Sequence, residues 1–168
     1  MNKIYFITGA SGSGKTTTLK LLEEENKKNF AFCYFDSVGV PSGEEMEKQY
    51  GSGENWQKSM ILFWVKEMKE KYLDQTPTIL DGQMRISFID EACKQNGVNE
   101  YVIILFDCSD MERTKRLIKR GHPELANPDM FNWAKYLRNE ATNRGAIIID
   151  TSNFSIEESK KTLLETLQ

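Results

Sequence analysis

The chain has 168 residues, 39% of them hydrophobic and 28% charged, with a net charge of −3. That length suits one domain with a core of its own and leaves no room for two, and the acidic balance argues against a nucleic-acid coat protein. Three widely spaced cysteines, Cys33, Cys93 and Cys108, are odd in number and form no C-x-x-C, which points to a reducing compartment and away from structural zinc.

The first predicted strand, Ile4–Thr8, runs straight into ITGASGSGKTTTLK. Only four apolar residues precede Thr8-Gly9, too few for a signal-peptide core, and no later run approaches a membrane span. The expected setting is therefore cytoplasmic, without a membrane partner. Gly9, Gly14, Lys15 and Thr16 fit G-x-x-x-x-G-K-[ST], and a helical pattern follows over Lys15–Lys27. Such a strand–loop–helix turns the backbone N–H groups of residues 10–16 into one concavity at the positive end of a helix, a nest for phosphate oxygens. A merely glycine-rich turn is the bland alternative, but the strand before and the helix after are what a nucleoside-triphosphate site requires. The candidate nucleotide-binding residues are Gly9, Ala10, Ser11, Gly12, Ser13, Gly14, Lys15, Thr16 and Thr17, with Lys15 reaching the β- and γ-phosphates and the Thr16 hydroxyl ligating Mg²⁺.

A second strand, Phe30–Phe35, ends at Asp36 in YFDSVG. Residues 37–53, rich in Gly, Ser and Glu, read as a loop with at most a short helix; an insertion of this length in a compact domain is usually functional or disordered. Its Glu44, Glu45 and Glu47 read as solvated, and Gly51-Ser52-Gly53 as a linker turn. The helix Glu54–Leu73 carries a stripe of Met60, Ile61, Trp64, Val65, Met68 and Tyr72 at core spacing. The third strand, Thr78–Leu80, opens into ILDGQMR with Asp81 and Arg85, followed by a helix over Arg85–Gln95. Asp107 ends a fourth strand, Tyr101–Phe106, expected to lie away from the first.

On the next helix, Asp110–Lys119, residues Arg113, Arg116 and Arg120 recur at i, i+3 and i+7, so one face carries all three into a Pro/Gly-rich segment at 121–130. The lone histidine, His122, sits in that segment beside a proline and is assigned no catalytic part. A helix over Pro128–Asn143 contains Arg138. A last strand, Ala146–Ile149, precedes DTSNFS and a helix over Ser155–Leu167, with Ser155 and Glu158 in capping-box register. Short apolar strands alternating with helices imply βαβ units and a parallel sheet buried on both faces, with ligands at the carboxyl ends of its strands.

With these motifs the chain resembles the small nucleoside- and nucleotide-kinase group of P-loop proteins, which includes adenylate kinase, shikimate kinase, gluconate kinase and chloramphenicol phosphotransferase. The likeness extends over most of the chain as architecture. It implies an α/β fold, a three-layer α/β/α P-loop NTPase with a five-stranded parallel sheet. One domain would span residues 1–168, with an acceptor-binding insertion at about 37–53 and a lid at about 121–130. ATP and Mg²⁺ are the implied cofactors. Asp81 would hold the metal if its strand lies beside the first. Asp81-Gly82-x-x-Arg85 looks like the D-G-x-x-R of adenylate kinase, whose arginine contacts the acceptor's phosphate, although Gln83-Met84 stands where that family has an aromatic and a proline. Arg116 and Arg120 would close over adenine and phosphates, and Asp36 would bind or deprotonate the acceptor hydroxyl. Arg138 would swing toward the phosphates, Trp64 would line the acceptor pocket, and Thr151 and Ser152 would back the adenine through their backbone.

The implied activity is transfer of the γ-phosphate of ATP to a nucleoside, nucleotide or other small hydroxyl compound, by a monomer or homodimer. The competing class is a regulatory module that binds or hydrolyses nucleotide on the same fold. A GTPase is disfavoured because Asn26-Lys27-Lys28-Asn29 is not N-K-x-D, and a transporter subunit because L-S-G-G-Q is absent.

Overall fold

The computed structural model describes residues 2–167. Five strands, β1 (Ile4–Thr8), β2 (Ala31–Tyr34), β3 (Thr78–Asp81), β4 (Tyr101–Asp107) and β5 (Ile147–Asp150), form one parallel sheet in the order β2-β3-β1-β4-β5. The helices are α1 (Lys15–Asn26), α2 (Gly43–Tyr50), α3 (Gly53–Lys71), α4 (Ile86–Gln95), α5 (Asp110–Lys119), α6 (Pro128–Arg144) and α7 (Ile156–Thr166). Short 3-10 turns stand at Phe35–Val38 and Pro123–Leu125. Among the described residues, no helix is long and apolar enough to cross a membrane.

Alternation along the central strand builds the three layers. Ile4 and Phe6 of β1 face a core shared with Trp56 and Met68 of α3, Ile89 of α4 and Leu137 of α6. Tyr5 and Ile7 face the opposite core, with Leu19 and Leu22 of α1 and Leu163 of α7. Burial on both faces holds for β1 and β3 but not at the sheet edge, where Ile147 and Ile148 of β5 are about two-fifths exposed because β5 pairs with β4 alone.

The strand order fixes the site. β1 sends its chain into α1 on one face, while its neighbour β3 sends its chain into α4 on the other, so a crevice opens between their carboxyl ends. Ile7 pairs with Asp81 across this seam. The other neighbour of β1 is β4, which corrects the expectation that Asp107 lies on a strand away from the first.

The insertion is more ordered than a loop. GEEMEKQY has good helix formers, and Ser42 and Glu45 close a capping box, so half of the segment becomes α2, packed through Met46 and Tyr50 against the core. The segment at 121–130 is a shorter loop than its proline and glycine content implies. Pro128 is already in the first turn of α6, capped by the Asn127 side chain, which accepts from the Met130 amide at 2.9 Å.

Candidate active site

The loop between β1 and α1 is held from outside by its carbonyls. Arg113 Nη1 donates to Ser11 O at 2.7 Å. Arg116 Nη1 donates to Gly12 O and Ser13 O, each at 3.3 Å, and Thr151 Oγ1 donates to Ser13 O at 2.8 Å. With the carbonyls drawn outward, the N–H groups face the concavity. Among the described residues, the Ser13 amide alone in the 11–14 stretch has a backbone acceptor, Ala10 O at 3.3 Å. Gly14 starts α1 at φ 91°, in the left-handed region that a side chain would strain.

Inside this cradle, Thr16 Oγ1 donates to Asp81 Oδ2 at 2.6 Å, and Lys15 Nζ lies 4.0 Å from Asp81 Oδ1. Asp81 is buried, and its Oδ1 has no hydrogen-bond partner among the described residues. Burial pushes the Asp81 carboxyl above its ordinary range, against the opposing pull of Lys15 and the Thr16 bond, while the charge of Asp36 adds to the rise. A desolvated carboxylate oxygen with no partner, beside a hydroxyl, is a hard-oxygen pair that suits Mg²⁺, and Thr16 and Asp81 are the residues that would hold it.

The arginine face of α5 divides by burial. Arg113 is fully buried and ion-pairs with Asp107 at 2.9 Å, so its place is beneath the loop. Arg116 is half-buried: its Nη2 donates to Thr151 O at 2.6 Å and its Nε to Glu112 at 2.9 Å. It therefore sits as a fixed brace between the phosphate loop and the loop after β5, whereas Arg120 is exposed at the end of α5. Both line a cleft of about 490 Å³ together with Gly12, Gly14, Thr17, Phe154 and Ile156, a size that suits a small ligand. Phe154 and Ile156 are binding candidates that sequence reasoning missed; their signal was a pair of exposed apolar residues flanking the cap Ser155.

Several expected ligand contacts are otherwise engaged. The Thr151 hydroxyl faces the carbonyls of Ser13 and Asp107, and the Ser152 hydroxyl bonds Asp150 and accepts from the Ser109 amide, so both side chains tie loops together, which leaves the expected backing of the adenine to their backbone. Arg138 ion-pairs with Asp107, at the end of β4, because α6 passes over that strand end. Trp64 is buried, and its indole N–H donates to Phe35 O at 3.2 Å. It thus supports the turn bearing Asp36 from below.

Asp36 itself is exposed on that turn, within electrostatic reach of Asp81. The turn rests against Gly82, where a Cβ would come within 2.6 Å of Phe35 Cβ, so the close approach needs a glycine. Gln83 bridges the two halves of the crevice. Its amide donates to Ser11 Oγ at 3.1 Å, its carbonyl oxygen accepts from Trp133 Nε1 at 3.0 Å, and its backbone O accepts from Gln57 Nε2 at 3.0 Å. Gln57, Gln83 and Trp133 were not anticipated, since no local motif marks a contact spanning 50 residues. Arg85 stands beyond Gln83, beside Gln57 and Glu54.

Residues 6–132 match the family model described as AAA domain. The adenylate kinase of Campylobacter curvus (strain 525.92) is 28% identical over 142 residues, covering 79% of this chain and 76% of its own. A gluconokinase from Sinorhizobium meliloti 1021 superposes with a TM-score of 0.66 at 17% identity, covering 99% of this chain and 91% of that one. A sugar kinase from Janibacter sp. HTCC2649 gives 0.62 at 18%, covering 98% and 94%. At those identities the structural likeness is one of fold.

Proposed function

The chain belongs to the AAA domain family of P-loop proteins, and on that premise we propose that it is an ATP- and Mg²⁺-dependent phosphotransferase acting on a small hydroxyl-bearing acceptor. The observation that carries this reading is the meeting of Thr16 with Asp81 across β1 and β3, leaving one buried carboxylate oxygen free beside Lys15. The similarity to an adenylate kinase supports the same chemistry.

Amides of residues 10–16 bind the terminal phosphates, and Lys15 neutralises charge between β and γ. Bound through Thr16 and Asp81, Mg²⁺ would supply further charge neutralisation on the transferring group. Arg116 keeps the loop in its binding shape through Gly12 O, Ser13 O and Thr151, and Arg120 covers the cleft from its rim. The nucleotide base occupies the apolar side of that cleft, against Phe154 and Ile156. Asp36 holds the acceptor hydroxyl and takes its proton as the oxygen attacks phosphorus. Arg138 acts through Asp107, orienting the end of β4 beside the loop. Short Pro123–Leu125 and its flanks close the rim, keeping water from competing with the acceptor. The buried, unpaired cysteines suit a cytoplasmic protein.

An ADP-release assay with Mg·ATP against nucleosides, sugars, sugar acids and amino sugars, with an acceptor-free blank, tests the proposal. Release that depends on one acceptor class is the expected result. Equal release in the blank would make the protein a plain ATPase and overturn the acceptor role of Asp36.

A further inference from the structure

We propose, building on the phosphotransferase reading, that the acceptor carries no anionic group. Its half of the crevice has two features suited to receiving an anion, the Arg85 guanidinium and the N-terminus of α4, and the chain's own carboxylates already occupy both. Arg85 Nη2 lies 3.4 Å from Glu54 Oε2, while its Nη1 donates to Gln57 Oε1 at 3.1 Å. The guanidinium also sits 5.0 Å from the centre of the Trp133 ring and 5.5 Å from that of Phe88, which fixes it between α3 and α6. At the start of α4, Glu140 of α6 accepts from the Ile86 amide at 2.8 Å and from the Ser87 amide at 3.3 Å. The same carboxylate takes the Ser87 hydroxyl at 2.6 Å. A helix N-terminus binds an incoming anion only while its amides are free.

The remaining charges point the same way. An anionic acceptor would have to displace Glu54 from Arg85 and would then meet Glu54 and the exposed Asp36 beside the phosphates of ATP. Like charges brought together weaken binding even where water screens the exposed Glu54, so such a site disfavours anions. Of the nearby lysines, Lys58 is paired with Glu91 at 2.8 Å, and Lys20 lies on the donor helix α1 within electrostatic reach of Asp81. A neutral polyol donates hydroxyls to these carboxylates, and an amine-bearing one adds an ion pair.

The experiment compares matched acceptors with the full-length protein and Mg·ATP: glucose, glucosamine and gluconate, then adenosine and AMP. The neutral or amine-bearing member of each set is expected to exceed its anionic counterpart in kcat/KM by at least about tenfold. Glu54→Gln, at an exposed first-turn position of α3, frees Arg85 and is expected to narrow that ratio by about tenfold. Preference for gluconate or AMP in the wild type overturns the proposal, as does a Glu54→Gln protein with an unchanged ratio. A binding arm keeps the question separate from turnover. With the β,γ-imido analogue of ATP and Mg²⁺ filling the donor site, calorimetry should register AMP binding to Glu54→Gln and none to the wild type. AMP binding to the wild type in that arm overturns the charge inference even if no acceptor is ever phosphorylated, whereas absent transfer with every acceptor overturns the phosphotransferase reading alone.

Discussion

The donor and acceptor halves of the crevice use arginine in opposite ways. On the donor side, Arg113 is fully buried and Arg116 half-buried, and both give their N–H groups to main-chain carbonyls of the phosphate loop. On the acceptor side, Arg85 pairs with Glu54 through side chains that are 23% and 60% exposed. Buried arginines fix backbone shape, and the backbone then does the binding. Arg85 is itself held by Gln57, Phe88 and Trp133, but its charge meets the exposed Glu54, so the pair sets which charges the half will accept, and water and salt screen it. On the proposed function, donor recognition would be rigid and generic, while acceptor recognition would be adjustable by single surface substitutions.

Removing Lys15 should break the donor half most severely. Lys15→Ala is expected to lower ATP-dependent phosphorylation by about 10³-fold with the melting curve retained; turnover near the wild-type rate would take Lys15 out of the mechanism. Next comes Arg113→Ala, which leaves Asp107 to Arg138 alone and Ser11 O without its donor, and should cost about 3 kcal/mol in urea unfolding. Arg85→Ala should cost under about 1 kcal/mol in the same titration. Similar losses for the two arginines would erase the contrast between the halves. Arg113→Lys should not rescue, because one ammonium cannot reach Ser11 O, Asp107 and Cys108 O together.

For the acceptor half, Asp36→Asn should reduce transfer by roughly 10²-fold or more while leaving ATP affinity, read by calorimetry, unaltered. A matching fall in ATP affinity would move Asp36 to the donor side.

The smallest effect is a pH dependence. Burial holds the Asp81 carboxyl above its ordinary range, so the metal-free fold keeps a proton that the unfolded chain gives up. That stabilisation is complete below the ordinary aspartate range and is lost as pH rises through the raised pKa. Metal-free wild-type protein should therefore lose stability across this window relative to Asp81→Asn, by an amount on the order of 1 kcal/mol. Mg²⁺ with ATP should raise the melting temperature of the wild type by more than that of the variant. Parallel pH curves for the two proteins would place the titrating group elsewhere.

Local periodicity made the architecture readable. Strands and helices fell within a residue or two of Ile4–Thr8, Asp110–Lys119 and their counterparts, because each is an apolar run or an amphipathic turn bounded by its own caps. The phosphate loop was readable for the same reason: its chemistry lies in consecutive amides and needs no distant partner. Strand neighbours were not, so Asp107 was misplaced until β4 paired with β1. Nor were the fates of Arg138, Thr151 and Trp64, whose side chains were free on paper but are claimed by Asp107, Ser13 O and Phe35 O across the fold.

The sequence by itself determined the parallel α/β layering and the nucleotide cradle, since both follow from residues adjacent along the chain. Only the tertiary structure decided that Asp81 meets Thr16, that Arg116 is a brace, and that Arg85 and the start of α4 are already neutralised. Each of those depends on partners brought together by strand order and helix packing, which are cooperative properties that no short window of residues encodes.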